Sequence, residues 1–230
     1  MATRDGIITM DTLNLIMLLD RSISMDDYGR IDQLNQAIPV LKQSLTEVAD
    51  EEGVEIKLRI ISFCEKINWV VGSPESGVNI QDVVWHDLTT DYCTCTDLAI
   101  KEANKALKKQ YLGAHALRPV VILITDGGCT NDHGDYLAAI EEMKRKLSGT
   151  TGKEKVTRIA VGVQDANRAE LEEFASVGLY HDIEQPLVFE VQDVSELCKV
   201  INFAAVSSMY SSISDNSDMV VIDGDPDDFI

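Results

Sequence analysis

Two stretches of this chain are apolar almost without interruption, and each ends on an aspartate. Leu13-Asn14-Leu15-Ile16-Met17-Leu18-Leu19 precedes Asp20, and Val120-Val121-Ile122-Leu123-Ile124-Thr125 precedes Asp126. A short continuous apolar run bounded by polar residues predicts a strand buried on both faces, as in the middle of a parallel sheet. Between them, Ile31, Leu34, Ile38, Leu41, Leu45 and Val48 recur at three- and four-residue steps and predict an amphipathic helix. Pro39 should kink that helix, because it removes a backbone donor, and Glu51-Glu52-Gly53 should end it. Val54–Phe63 alternates in part, and Lys66–Val71 follows after Cys64-Glu65, which predicts a hairpin.

Residues 72–93 read as a loop with a short apolar piece at Val83-Val84-Trp85. Asp97–Gln110 predicts a helix, with Thr96 standing where an N-cap would sit. A helix at about 134–147, a strand at Val156–Val163, a helix at about 167–176 and a strand at Leu187–Val191 continue the alternation. The last helix is expected to run from an Asp193 cap towards Tyr210.

Strands alternating with helices predict an α/β fold: a doubly wound, mostly parallel central sheet with helices on both faces. The early hairpin supplies one antiparallel edge strand. One domain is expected over residues 1–213. From residue 200 onward there is no lysine or arginine, while Asp215, Asp218, Asp223, Asp225, Asp227 and Asp228 accumulate. Residues 214–230 are therefore expected to form an acidic, disordered tail.

Composition narrows the function classes. At 45% hydrophobic and 26% charged, the 230-residue chain has enough apolar side chain to fold, which excludes disorder along its whole length. The net charge of −19 repels phosphate backbones and anionic lipid, so nucleic acid and membrane surfaces are not expected partners. Cations, or basic surfaces on other proteins, are. No apolar run reaches the ~18–20 residues of a membrane-spanning helix, and the N-terminus turns polar at once without a signal-like core. A cytoplasmic location is expected. Cys64, Cys93, Cys95, Cys129 and Cys198 are odd in number and scattered, which fits reduced thiols. Cys93, Cys95, Cys129 and His133 are a loosely spaced alternative set for zinc.

In an open α/β sheet, chemistry collects where the carboxyl ends of the strands meet their loops. Asp20 opens Asp20-Arg21-Ser22-Ile23-Ser24, one carboxylate and two hydroxyls at alternate positions. On an extended loop these three side chains converge, and hard oxygen ligands of that kind suit Mg²⁺ or Mn²⁺. Asp126 ends the second buried strand, and Thr96 lies in the loop Cys93-Thr94-Cys95-Thr96-Asp97-Leu98.

These residues resemble the metal-ion-dependent adhesion site of von Willebrand factor type A domains: Asp-x-Ser-x-Ser, a later threonine, and an aspartate after the central strand. The resemblance covers residues about 12–210 and places the metal ligands at Asp20, Ser22, Ser24, Thr96 and Asp126, with Thr94 the alternative threonine. Ile23 stands where the family often has glycine, and Thr94-Cys95 where it often has a glycine pair. The resemblance implies a Rossmann-like fold and a non-enzymatic, Mg²⁺-dependent protein-binding module whose ion is completed by a partner's Asp or Glu. The serine-rich final helix resembles the bacterial tellurite-resistance-associated members. That narrower likeness implies a scaffold in a stress-response or signalling complex with a Ser/Thr kinase and a metal-dependent phosphatase. Serines between 207 and 217 are then candidate phosphoacceptors.

A rival reading is a Mg²⁺-dependent phosphohydrolase with Asp20 as nucleophile. Ser22 stands where such an enzyme would want a second aspartate, so its acid/base is missing. Trp69 and Trp85 read as packing residues, and His86 and His115 as surface or loop histidines.

Overall fold

All nine residues of β1 (Thr12–Asp20) are buried, as its apolar run requires. In the computed structural model, which describes residues 10–129, 131–148, 155–164, 166–180, 183–213 and 220–222, this strand lies inside the main sheet. Its neighbours are β2 (Glu55–Phe63) and β5 (Val120–Thr125), both parallel to it. Beyond β5 come β6 (Thr157–Val163) and β9 (Val188–Val191), again parallel. On the other side, β3 (Ile67–Val71) and the two-residue β4 (Val78–Asn79) both pair antiparallel with β2. The order is β3-β2-β1-β5-β6-β9.

Side chains alternate across this sheet and build two cores. On one face, Leu13, Leu15, Met17 and Leu19 of β1 join Val120, Ile122 and Ile124 of β5. They are covered by α1 (Arg30–Glu52) and α6 (Val194–Ile213). On the other face, Ile16 and Leu18 join Val121 and Leu123 beneath α2 (Thr96–Ala106), α4 (His133–Arg145) and α5 (Arg168–Phe174). Each fully buried Leu or Ile contributes roughly 1.5–3 kcal/mol of transfer free energy, which is why the strands, apolar on both sides, sit in the middle. The doubly wound, mostly parallel architecture with helices on both faces is the one the alternation predicts.

Helix α1 continues through the exposed Pro39, which lacks the N–H that would donate to the Asn35 carbonyl one turn back. The structure differs from the sequence expectations at particular points. The helix after Thr96 stops at Ala106, and a separate turn, α3 (Lys109–Leu112), follows. Thr96 is the first residue of α2, not its cap; Cys95 holds that position, and no side chain caps the helix. Asp193 does act as expected, accepting the Glu196 N–H at 3.0 Å.

A small second sheet was not anticipated: β7 (Val177–Tyr180) pairs antiparallel with β8 (Ile183–Pro186) and parallel with β10 (Val220–Ile222). Strand β10 falls inside the segment expected to be a tail; residues 214–219 and 223–230 of that segment lie outside the described residues. Among the described residues, no helix is long and apolar enough to cross a membrane.

Candidate metal centre at the carboxyl edge of the sheet

The ends of β1 and β5 lie side by side, so Asp20 and Asp126 arrive at one place because two parallel strands finish in register. Asp20 is wholly buried. Its Oδ1 accepts the Ser22 backbone N–H at 2.8 Å, and its Oδ2 accepts the Thr125 hydroxyl at 2.5 Å. Burial pushes the Asp20 carboxyl up to about 6, against the pull of those donors, with a further small rise from the Asp126 charge. A carboxylate held there dry is poised to gain from a cation.

The loop after β1 turns in a 3₁₀ stretch over Ile23–Gly29. Within it, the Ser22 and Ser24 hydroxyls lie 3.0 Å apart, and Ser24 Oγ donates to Asp126 Oδ1 at 2.8 Å. Asp20, Ser22, Ser24 and Asp126 thus form one hydrogen-bonded group with Thr125. The loop after Asp126 is gripped by Glu170, whose carboxylate accepts the Cys129 N–H at 2.7 Å. A Cβ at Gly128 would come 2.6 Å from Glu170 Oε1, so a larger residue there would push the Glu170 carboxylate aside.

Thr96 reaches the same edge from the third loop. The Cys95 N–H donates to the Cys64 carbonyl just past β2, and Asn131 Nδ2 donates to Asp97 Oδ1 at 2.6 Å. Asp97 is buried, and despite that burial Lys101 and Asn131 hold its carboxyl below the usual range. The start of α2 is therefore stitched both to the end of β2 and to the loop after β5. The Thr96 hydroxyl is buried without a hydrogen-bond partner among the described residues. Thr94 is also buried, but it does have a partner.

Such an orphaned hydroxyl is costly, about 1–3 kcal/mol, unless something completes it. With two carboxylates and two further hydroxyls at the same edge, the donor set is all oxygen and suits a hard divalent cation. The residues present fit that group.

Two residues missed in the sequence complete the surroundings. Thr125 orients Asp20 as described. Arg30, first residue of α1, sets its guanidinium against Asp126 Oδ2 and donates from Nε to Gln164 Oε1 at 2.9 Å. The available signal was a cation in the first turn of a helix, where the dipole disfavours it.

The sulfur set does not assemble. His133 points to Glu173 at 3.3 Å. All five cysteines are free, and among the described residues no group of three or more His, Cys, Asp or Glu side chains is placed to hold a metal.

The sequence profile of the von Willebrand factor type A domain matches residues 14–202. The chain belongs to that family. Solved structures share its fold. The von Willebrand factor type A protein from Catenulispora acidiphila superposes with a TM-score of 0.64 at 16% identity, over 87% of this chain and 43% of that one. Proximal thread matrix protein 1 from the mussel byssus, in a form described as having a zinc-occupied MIDAS motif, gives 0.60 at 18% identity over 87% and 48%. BatB from Bacteroides thetaiotaomicron gives 0.55 at 15%, over 86% of this chain and all of that one. This von Willebrand A chain thus spans less than half the length of the first two. No curated protein matches it in sequence.

Proposed function

We propose that this von Willebrand A domain is a non-enzymatic, divalent-cation-dependent protein-binding module. Asp20, Ser22, Ser24, Thr96 and Asp126 hold Mg²⁺ or Mn²⁺, and an Asp or Glu of a partner protein completes the coordination. The observation that carries the reading is the buried, unpartnered Thr96 hydroxyl at the edge where two carboxylates and two serines already gather.

When bound, the ion supplies a Lewis-acidic position for an incoming carboxylate. The chain's own residues do the rest. Thr125 and the Ser22 N–H fix Asp20, and the Asp97–Asn131 pair fixes the turn that presents Thr96. On the loops outside the buried oxygens, Ile23, Tyr28 and Tyr92 are exposed, at 54%, 80% and 71%. Asp91 forms an ion pair with the guanidinium of Arg21 in the Asp20–Ser24 loop, 3.6 Å apart, and donates its N–H to the Arg21 carbonyl, which keeps Tyr92 beside that loop. Exposed aromatics around a charged centre suit a protein partner.

The finer assignment rests on the sequence likeness to tellurite-resistance-associated members: a cytoplasmic scaffold working with a Ser/Thr kinase and a metal-dependent phosphatase. Against the phosphohydrolase alternative stand the complete burial of Asp20, the engagement of both its oxygens, and Ser22 in place of an acid/base.

The test is capture of a partner from a lysate of the source cells, in Mg²⁺ and in EDTA, with wild type and Asp20→Ala. Capture that needs both Mg²⁺ and Asp20, with the variant folded by circular dichroism, supports the reading. Equal capture in EDTA sinks it.

A further inference from the structure

Arg30 brings a positive charge to a site otherwise made to receive one. It is only 7% exposed, and its guanidinium meets Asp126 and the Ser24 carbonyl of the site and the Tyr28 ring beside it, together with Gln164 just past β6. Nη1 meets Asp126 Oδ2 and donates to the Ser24 carbonyl at 3.3 Å, Nε donates to Gln164, and the Tyr28 ring lies 5.4 Å away.

The backbone is bent to put it there. Tyr28 and Gly29 are both left-handed, with φ of 55° and 69°, and Gln164 has φ of 55°. Left-handed non-glycine residues cost free energy and persist where the surroundings demand them. Here they aim a helix-terminal arginine inward, against its own helix dipole.

We propose that Arg30 is the resident counter-cation of the site and sets the division of binding energy between ion and partner. The inference rests on the metal-site reading above. Asp20 and Asp126 together carry two negative charges, and Arg30 returns one. A divalent ion is therefore attracted by a surround of net −1 in place of −2, and held less tightly. Once loaded, the group is net +1, and an incoming carboxylate brings it to neutrality. Without Arg30 the loaded site would already be neutral, and a partner carboxylate would gain much less. Arg30 thus lowers cation affinity and raises affinity for the acidic partner. In the cation-free protein it also keeps Asp126 from being buried unpaired.

The experiment is calorimetric titration of Mn²⁺ into the metal-free full chain, as wild type, Arg30→Gln and Arg30→Lys, each with and without acetate as a minimal carboxylate. Arg30→Gln should bind Mn²⁺ about tenfold tighter or more, since a like charge is removed from a partly desolvated site. It should also melt at a lower temperature in EDTA. Arg30→Lys should return to within a few-fold of wild type. Acetate should tighten Mn²⁺ binding to wild type, and do so less in Arg30→Gln.

A folded Arg30→Gln whose Mn²⁺ affinity is unchanged or weaker overturns the proposal, because a purely structural arginine would lower stability without tightening the ion. If that variant does not fold, the acetate arm on wild type decides, and no tightening overturns it. Should wild type and all variants bind no Mn²⁺ at all, the metal-site reading itself fails. Binding by wild type with no gain in Arg30→Gln defeats only the role given to Arg30.

Discussion

Thr125 Oγ1 donates a 2.5 Å hydrogen bond to Asp20 Oδ2, joining the ends of two central strands through a buried carboxylate. The same hydroxyl accepts the Gly127 N–H at 3.1 Å, so it anchors the turn after Asp126 as well. Thr125→Val should cost about 1–3 kcal/mol, because it leaves a buried carboxylate oxygen without its donor. Urea unfolding at pH 7.5 in EDTA checks this, and Thr125→Ser should retain most of the stability.

Thr96→Val should move two quantities in opposite directions. Replacing an unpartnered buried hydroxyl by a methyl group of similar shape should stabilise the metal-free chain by about 1 kcal/mol. The same change should weaken Mn²⁺ binding by about tenfold or more, as loss of a coordinating or orienting group does. Thermal melts in EDTA and calorimetry with Mn²⁺ read the two effects separately. Thr94→Val, by contrast, should leave the Mn²⁺ affinity within a few-fold of wild type.

The pH dependence follows from Asp20, whose carboxyl is raised from 3.8 to about 6 by burial. A raised folded-state value means that the native state holds its proton more tightly than the unfolded chain does. In EDTA, this group's contribution to stability is fully present below about 3.8 and is lost as the pH rises through about 6. Protons and the divalent ion compete for the same oxygens. Mn²⁺ affinity should therefore fall about tenfold between pH 7.5 and pH 5, by proton linkage at one site. An affinity flat across that range would contradict proton competition at a raised Asp20 carboxyl.

Thiol accessibility tests the placement of the loops. Cys93 is exposed, while Cys198 is buried and its thiol pushed up to about 11 by desolvation. The folded chain should react with a maleimide first at Cys93 and much more slowly at the buried Cys64, Cys95 and Cys198, as read by peptide mass mapping.

The main features of the fold were readable because buried parallel strands are continuously apolar, and the runs ending at Asp20 and Asp126 could hardly sit elsewhere. The first two strands of the small second sheet were not readable. Val177–Tyr180 and Ile183–Pro186 are four residues each, and Ile183-Glu184-Gln185-Pro186 carries no period-2 signal. Thr96 looked like a cap because a threonine before a helix usually is one, and only the structure shows its hydroxyl left without a partner. Arg30 escaped notice for a different reason. Its partner Asp126 lies 96 residues away, and the left-handed turn at Tyr28-Gly29 that aims it leaves little trace in the sequence.

The central claim is that five side-chain oxygens on three loops hold one divalent cation, and direct calorimetric titration of Mn²⁺ into the metal-free full chain tests it most plainly. Saturable binding of one ion per chain is predicted, abolished in Asp20→Asn and accompanied by a higher melting temperature in excess Mn²⁺, roughly 2.7 kcal/mol of added stability at a hundredfold excess over Kd. No heat and no thermal shift, or binding that Asp20→Asn leaves intact, would contradict it.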